Sequence, residues 1–194
     1  MARTVEIHEH ALDQIRYIRQ AMERTSEFTA VPGWGGVAMG VSALIVATMA
    51  TMQPDIRTWF HWWSYECLFG MLIGGFSVWR KVRAGDESIY TAAGRKFLLS
   101  FAPPIVAGAL ISYVLYSAQV PGLMPGVWLL LYGTAVVAAG TFSVKIVPLM
   151  GFCFMAMGAV ALFVPFFWAN VLLASGFGGL HIIFGAWIAR RFGG

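Results

Sequence analysis

Residues 126–144 read GVWLLLYGTAVVAAGTFSV and contain no charged side chain. An α-helix of about 20 such residues crosses the roughly 30 Å hydrocarbon core of a bilayer. Comparable runs fill most of the chain, of whose 194 residues 59% are hydrophobic and only 11% are charged. Because charged residues make up roughly 25% of an ordinary soluble domain, the sequence predicts an all-α integral membrane protein.

Turn-forming and polar breaks divide the apolar sequence into six predicted spans. The clearest break is the Pro- and Gly-rich segment 121–126, and the longest internal polar segment runs from 80 to 96. The chain is therefore predicted to have two parts, a cytoplasmic amphipathic helix in residues 1–30 and a six-helix transmembrane bundle in residues 31–194. The predicted spans are about 34–53, 58–80, 98–118, 126–144, 148–168 and 170–190.

The basic residues predict how the bundle is oriented. With six spans, twelve of the 13 Lys and Arg residues fall on one side of the membrane, and only Arg57 falls on the other. Since Lys and Arg concentrate in cytoplasmic loops, both termini are predicted to be cytoplasmic. The net charge of +4 then favours anionic lipid headgroups as the partner and not nucleic acid.

The polar N-terminal segment has one regular apolar face. Ala11, Ile15, Ile18 and Met22 recur at steps of four, three and four, which places them on one side of a helix. Such a face predicts docking on a partner at the membrane, either a second copy of the chain or a subunit of a membrane complex.

Two ionisable side chains lie well inside predicted spans. At the rise of an α-helix, Glu66 is roughly 12 Å and His181 roughly 16 Å below the same side of the membrane. A charged group near the bilayer centre costs at least about 2.5–3.5 kcal/mol and usually has a partner. We therefore predict that Glu66 and His181 share a proton- or ligand-binding site, joined by Tyr113 and Tyr132 at similar depth. A purely structural polar clasp is the alternative.

Aromatic residues gather on the side opposite the basic clusters. Indole rings favour the membrane–water interface, so we predict a belt there that includes Trp62, Trp63, Trp128 and Trp168. The π faces of such rings attract cationic ligands.

The sequence contains no recognisable metal or cofactor motif. Cys67 and Cys153 lie within apolar runs without a Cys-x-x-Cys pair. His61 and His181 differ in depth by roughly 11–12 Å, too far apart to be the two axial ligands of one haem. We therefore expect neither a metal nor a cofactor.

Two stretches carry a family resemblance. Residues 28–36, FTAVPGWGG, and 178–181, GGLH, resemble those of small, uncharacterised bacterial inner-membrane proteins. The resemblance implies a bacterial cytoplasmic-membrane location and no particular activity.

Three functions remain open at this point. The first is a proton-coupled transporter of a small or cationic solute, with Glu66 as the proton or cation acceptor and His181 as its partner. The second is a non-catalytic membrane subunit or sensor that docks a partner through its N-terminal helix. The third is a membrane enzyme acting on lipid or quinone, for which the sequence offers no nucleophile–base pair or metal cluster.

Overall fold

The computed structural model describes residues 14–15, 28, 31–53, 55–84 and 92–192. The predicted amphipathic helix of residues 1–30 lies almost wholly outside them. Of the four residues that define its apolar face, only Ile15 is described; it is helical and 61% exposed.

The described residues form six long helices and no strand, which confirms the predicted all-α fold. Each helix covers most of one predicted span. In chain order the helices are α1 (Gly33–Thr51), α2 (Ile56–Ala84), α3 (Ala92–Ser117), α4 (Met124–Gly140), α5 (Ile146–Ala161) and α6 (Phe166–Phe192).

Four of these helices are long and apolar enough to cross a membrane. They are α1, α3, α4 together with the turn before it, and α6. The apolar α5 has only 16 residues, whereas α2 has 29 residues but is less apolar on average than α1, α3 and α4. The surface of the described helices is rich in exposed large apolar side chains, among them Leu72 and Leu110, as a lipid-facing surface is.

Glycines allow two pairs of helices to pack at backbone distance. A Cβ atom at Gly40 of α1 would lie 2.6 Å from the carbonyl oxygen of Gly178 in α6. A Cβ atom at Gly133 of α4 would lie 2.7 Å from the carbonyl oxygen of Gly151 in α5. Small residues let helices in lipid approach closely, so the α1–α6 and α4–α5 pairs form the tightly packed part of the bundle.

Helix α3 lies at the edge of the bundle and packs on α4. It runs as an unbroken helix through Pro103 and Pro104. Although α2 and α3 are consecutive, they meet mainly near their ends. The Phe60 and Tyr116 rings stack at 4.8 Å at one end, and Val78 packs with Phe97 around Phe28 at the other.

The two ends of α2 are each held by polar bonds. At the start, the Asp55 carboxylate accepts hydrogen bonds from the backbone N–H and the hydroxyl of Thr58, both at 2.8 Å. These bonds, the backbone one foremost, hold the pKa of Asp55 below its ordinary value. Near the other end, Lys81 Nζ donates to the carbonyl oxygen of Phe192 at 3.0 Å, which links α2 to the C-terminal end of α6.

Candidate functional site

Glu66 lies at the interface between α1 and α2. Its side chain is 8% exposed, and its Oε1 accepts a hydrogen bond of 2.7 Å from the Ser42 hydroxyl. Helical spacing explains the contact, because Gly35, Met39 and Ser42 follow one another at steps of four and three on one face of α1. Ser77 of α2 packs at Gly35 and the Met39 sulfur faces Gly74 of α2, so this whole face of α1 is directed at α2.

The carboxylate of Glu66 has no cation beside it among the described residues. Its bond with Ser42 is the single hydrogen bond or ion pair that it forms within that part of the chain. Every fully buried side-chain nitrogen or oxygen there has a hydrogen-bond partner. The second oxygen, Oε2, has none, so it must retain accessible surface. Glu66 is thus an almost buried acid whose carboxylate has a single hydroxyl partner among the described residues.

His181 forms a second polar site, between α6 and α4. Its Nδ1 lies 2.9 Å from the carbonyl oxygen of Phe177, and its Nε2 lies 2.6 Å from the Tyr132 hydroxyl. A carbonyl oxygen can only accept, so Nδ1 carries the hydrogen. In a neutral imidazole Nε2 is then the acceptor, and Tyr132 donates to it.

Aromatic rings enclose this second site. The Phe154 ring lies 4.8 Å from Tyr132 and 5.3 Å from His181, centroid to centroid. Phe177 packs on the Tyr132 ring at 5.2 Å. His181 itself is 5% exposed, so the Tyr132–His181 bond is shielded on several sides by apolar rings.

A π-helix positions His181. The residues before it, Ala174–Leu180, form a π-helical segment within α6, and α-helical geometry resumes at His181. The π-helix is a rare structure, and the π-helical turns that do occur in proteins are frequently found at functional sites. Three of its seven residues are glycines, Gly176, Gly178 and Gly179.

The structure does not join Glu66 to His181, contrary to the sequence prediction of a shared pair. Neither a hydrogen bond nor an ion pair connects them in the described residues; Glu66 bonds to Ser42, and His181 bonds to Tyr132 and Phe177. The helical rise used in the sequence analysis gives only the depth of Glu66 and His181 along the membrane normal. The direction of each side chain around its helix axis decides its partner, and the wider turn of the π-helix changes that direction for every residue after Leu180.

The two tyrosines predicted to join the site have different positions. Tyr132 is bonded to His181 as described, so the structure brings it into a polar site. Tyr113 is 72% exposed on α3, and no hydrogen bond joins it to Glu66, His181 or Tyr132 in the described part of the chain. On this peripheral helix, it is Tyr116, three residues later, that faces inward and accepts a hydrogen bond of 3.2 Å from Arg57 Nε.

The predicted aromatic belt is partly an internal cluster. Trp63 is buried and, like Trp59, donates its indole N–H to Asn170 Oδ1, at 3.0 and 2.8 Å. Trp128 is half-buried and donates to the Ser112 hydroxyl at 2.7 Å. A buried indole N–H needs an acceptor, and these polar side chains supply it within the bundle. Trp63 and Trp128 thus direct their indole N–H groups into the bundle, and their depth in a membrane stays a prediction.

The other two belt residues differ from each other in exposure. Trp168 is 48% exposed, and Trp62 is half-buried, so both stay compatible with an interfacial position. Asn170, near the start of α6, serves as the acceptor for the two indoles.

Sequence reasoning missed three polar residues that organise these contacts, namely Ser42, Ser112 and Asn170. Each is a small polar residue within an apolar run. Because such residues commonly bond to their own helix backbone, nothing in the sequence separates those that also reach a neighbouring helix.

In the described part of the chain, no group of three or more His, Cys, Asp or Glu side chains is placed to hold a metal ion. Cys67 and Cys153 are free thiols. Comparison with protein-family models, curated proteins and solved structures finds no match to this chain.

Proposed function

We propose that the chain is a proton-coupled transporter of a small or cationic solute, with six spans in the bacterial cytoplasmic membrane. Both termini face the cytoplasm, in keeping with the distribution of Lys and Arg. Glu66 binds and releases the coupled proton or the cationic group of the solute.

This proposal is supported above all by the lack of a cationic partner for Glu66 among the described residues. Its almost buried carboxylate has a hydroxyl partner but no cation among the described residues. Burial of an unpaired charge is costly, and such a group neutralises by binding a proton or a cation. Ionisable residues of this kind within membrane spans mark proton relays and substrate paths. The carboxylate group of Glu66 supplies the position for the incoming proton or cation.

The face of α2 beside Glu66 favours a solute that is both cationic and partly apolar. Phe60, Cys67, Met71 and Val78 follow at steps of seven, four and seven, so they share the face directed at α3. The two end residues pack near α3 or Phe28, whereas Cys67 and Met71 between them are exposed. The middle of this face thus offers apolar surface next to the carboxylate.

The proposal assigns His181 a different part from the one expected. Because its two ring nitrogens are bonded to Tyr132 and Phe177, His181 holds α4 against α6. It is a structural clasp and not the direct partner of Glu66.

Transport is tested with the purified chain in proteoliposomes under an imposed pH gradient. The probe is tetraphenylphosphonium, a monovalent cation with an apolar body, and an entrapped pH dye records proton movement. We expect probe-dependent proton flux in the wild type, its loss in Glu66→Gln, and wild-type flux in the control Asp55→Asn, which changes an acid at the start of α2. Equal flux in the wild type and Glu66→Gln would refute the proposal.

A non-catalytic subunit or sensor is the second candidate. The exposure of Ile15, at 61%, favours it, because an apolar side chain on the predicted face is free of contacts that would bury it. The test removes residues 1–27 and measures both flux and oligomeric size. Loss of an assembly with flux retained supports a docking role for this segment.

A further inference from the structure

The hydroxyl of Ser42 has two acceptors and one hydrogen. Its oxygen lies 2.7 Å from Glu66 Oε1 and 2.9 Å from the carbonyl oxygen of Met39. A serine hydroxyl donates one hydrogen and accepts through its lone pairs. Ser42 therefore cannot fully satisfy both oxygens as a donor at the same time.

The protonation state of Glu66 decides between the two bonds. When the carboxyl is ionised it can only accept, so Ser42 donates to Oε1. When a proton binds at Oε1, the new O–H group donates to Ser42 Oγ, and the Ser42 hydrogen is released for the Met39 carbonyl. All three groups are then connected in one chain of hydrogen bonds. The step adds one proton and changes the carboxyl charge from −1 to neutral, with no other bond made or broken.

We propose that Ser42 is the positioning residue of the Glu66 proton site, and that proton binding reverses the direction of the hydrogen bond between α1 and α2. This inference rests on the proposed function and makes it more specific, since it names the proton as the species bound at Oε1. A hard cation takes several oxygen ligands, about six to eight for Ca²⁺. A Ser42–Glu66 contact of 2.7 Å is a direct hydrogen bond with no space for an ion between the two oxygens.

Few other titratable groups face Glu66. Helix α1, which packs directly on it, contains no Asp, Glu, Lys, Arg, His, Cys or Tyr. On its own helix the neighbouring groups are Cys67 and Tyr65. Beyond them, Tyr132 of α4 and His181 of α6 are bonded to each other. The direction of the Ser42 bond is thus set by Glu66 itself and not by a competing charge on α1.

Infrared difference spectroscopy of the full chain in lipid bilayers tests this proposal as the pH is stepped. The carbonyl band of protonated Glu66 is identified as the band that Glu66→Gln removes. We expect Ser42→Ala to shift this band to higher frequency, because the carboxyl loses the hydroxyl to which it donates. Ser42→Thr keeps a hydroxyl and should restore the wild-type frequency.

The matched control is Thr48→Ala. Thr48 is also on α1 and also donates to the carbonyl three residues earlier, at 2.6 Å, but its hydroxyl bonds to no other helix among the described residues. This variant should leave the Glu66 band unchanged. Ser42→Cys, whose sulfur is a weaker hydrogen-bond acceptor than a hydroxyl oxygen, should give a smaller shift and serves if Ser42→Ala does not fold.

Two results would overturn the proposal in different ways. If Glu66→Gln removes the band but Ser42→Ala leaves its frequency unchanged, Ser42 is not the positioning residue and the proton site stands. If no band depends on Glu66 at any pH, the proton site itself is wrong.

Discussion

The Tyr132 hydroxyl lies 2.6 Å from Nε2 of His181 and so connects α4 to α6. The other ring nitrogen of His181 donates to the Phe177 carbonyl, which leaves Nε2 as the acceptor and Tyr132 as the donor. Both nitrogens of a nearly buried imidazole are therefore used. These two bonds explain how a polar imidazole is accommodated inside the bundle without a bond to Glu66.

Replacing Tyr132 by Phe should destabilise the bundle. The substitution keeps the ring and removes the only hydroxyl that donates to Nε2 in the described residues. A buried acceptor left without a partner costs about 1–3 kcal/mol. Unfolding in detergent micelles measures the loss. In a His181→Leu background, where Nε2 is absent, the same substitution should cost much less; an equal cost in both backgrounds would show that the bond is not the cause.

Replacing Asn170 by Leu should also destabilise the protein, because one amide oxygen serves two indoles. Trp59 and Trp63 would both lose the acceptor for their N–H groups, at about 1–3 kcal/mol for each unsatisfied group. Thermal unfolding followed by tryptophan fluorescence measures the effect. Thr134→Ala, which removes a hydroxyl bonded only to its own helix, is the control. A melting temperature no lower than that of the control would contradict the assigned role.

The tightness of the α4–α5 contact predicts a contrast between two glycines. A methyl group at Gly133 would approach the Gly151 carbonyl oxygen to 2.7 Å, whereas one at Gly75 would meet no described atom within 4 Å. Gly133→Ala should cost about 1–3 kcal/mol through overpacking, and Gly75→Ala should leave the melting temperature nearly unchanged. Similar melting temperatures for the two variants would argue against backbone-level packing of α4 on α5.

The bonds from Thr58 to the Asp55 carboxylate cap the start of α2, and this cap predicts that the stability of the protein depends on pH. Because the folded-state pKa of Asp55 is lowered by its bonds to Thr58, the cap stabilises the protein fully above the ordinary pKa of 3.8. That stability is lost as the pH falls through the folded-state pKa. Asp55→Ala should therefore melt at a lower temperature than the wild type at neutral pH, and the two melting temperatures should converge in strong acid. A difference in melting temperature that persists unchanged into strong acid would exclude this cap.

The lengths of the hydrophobic runs in the sequence predicted the positions of the helices well. The predicted span 126–144 corresponds to α4, and the predicted span 34–53 corresponds to α1 (Gly33–Thr51). Both follow from the length of apolar sequence that a bilayer accepts. The last boundary was less accurate, since α6 begins at Phe166 and not at residue 170.

The partners of the buried polar residues were harder to predict. Sequence position gives depth along a helix, and it led correctly to Glu66 and His181 as nearly buried groups. It does not give the rotation of one helix against another. The π-helical segment before His181 adds a rotation that regular α-helical spacing does not contain. For Glu66, the partner on α1 is a serine, whose ordinary bond to its own helix gave no sign of the second contact.

The most direct test of the central claim is chemical labelling of Glu66 with dicyclohexylcarbodiimide in bilayers. This apolar reagent adds the O–H of a protonated carboxyl across its C=N bond, so it marks acids that are both neutral and reachable within a membrane. We expect mass spectrometry to find the label on Glu66, to find less of it as the pH is raised, and to find none at this position in Glu66→Gln. An unlabelled Glu66 across the whole pH range, in protein shown to be folded, would contradict the account.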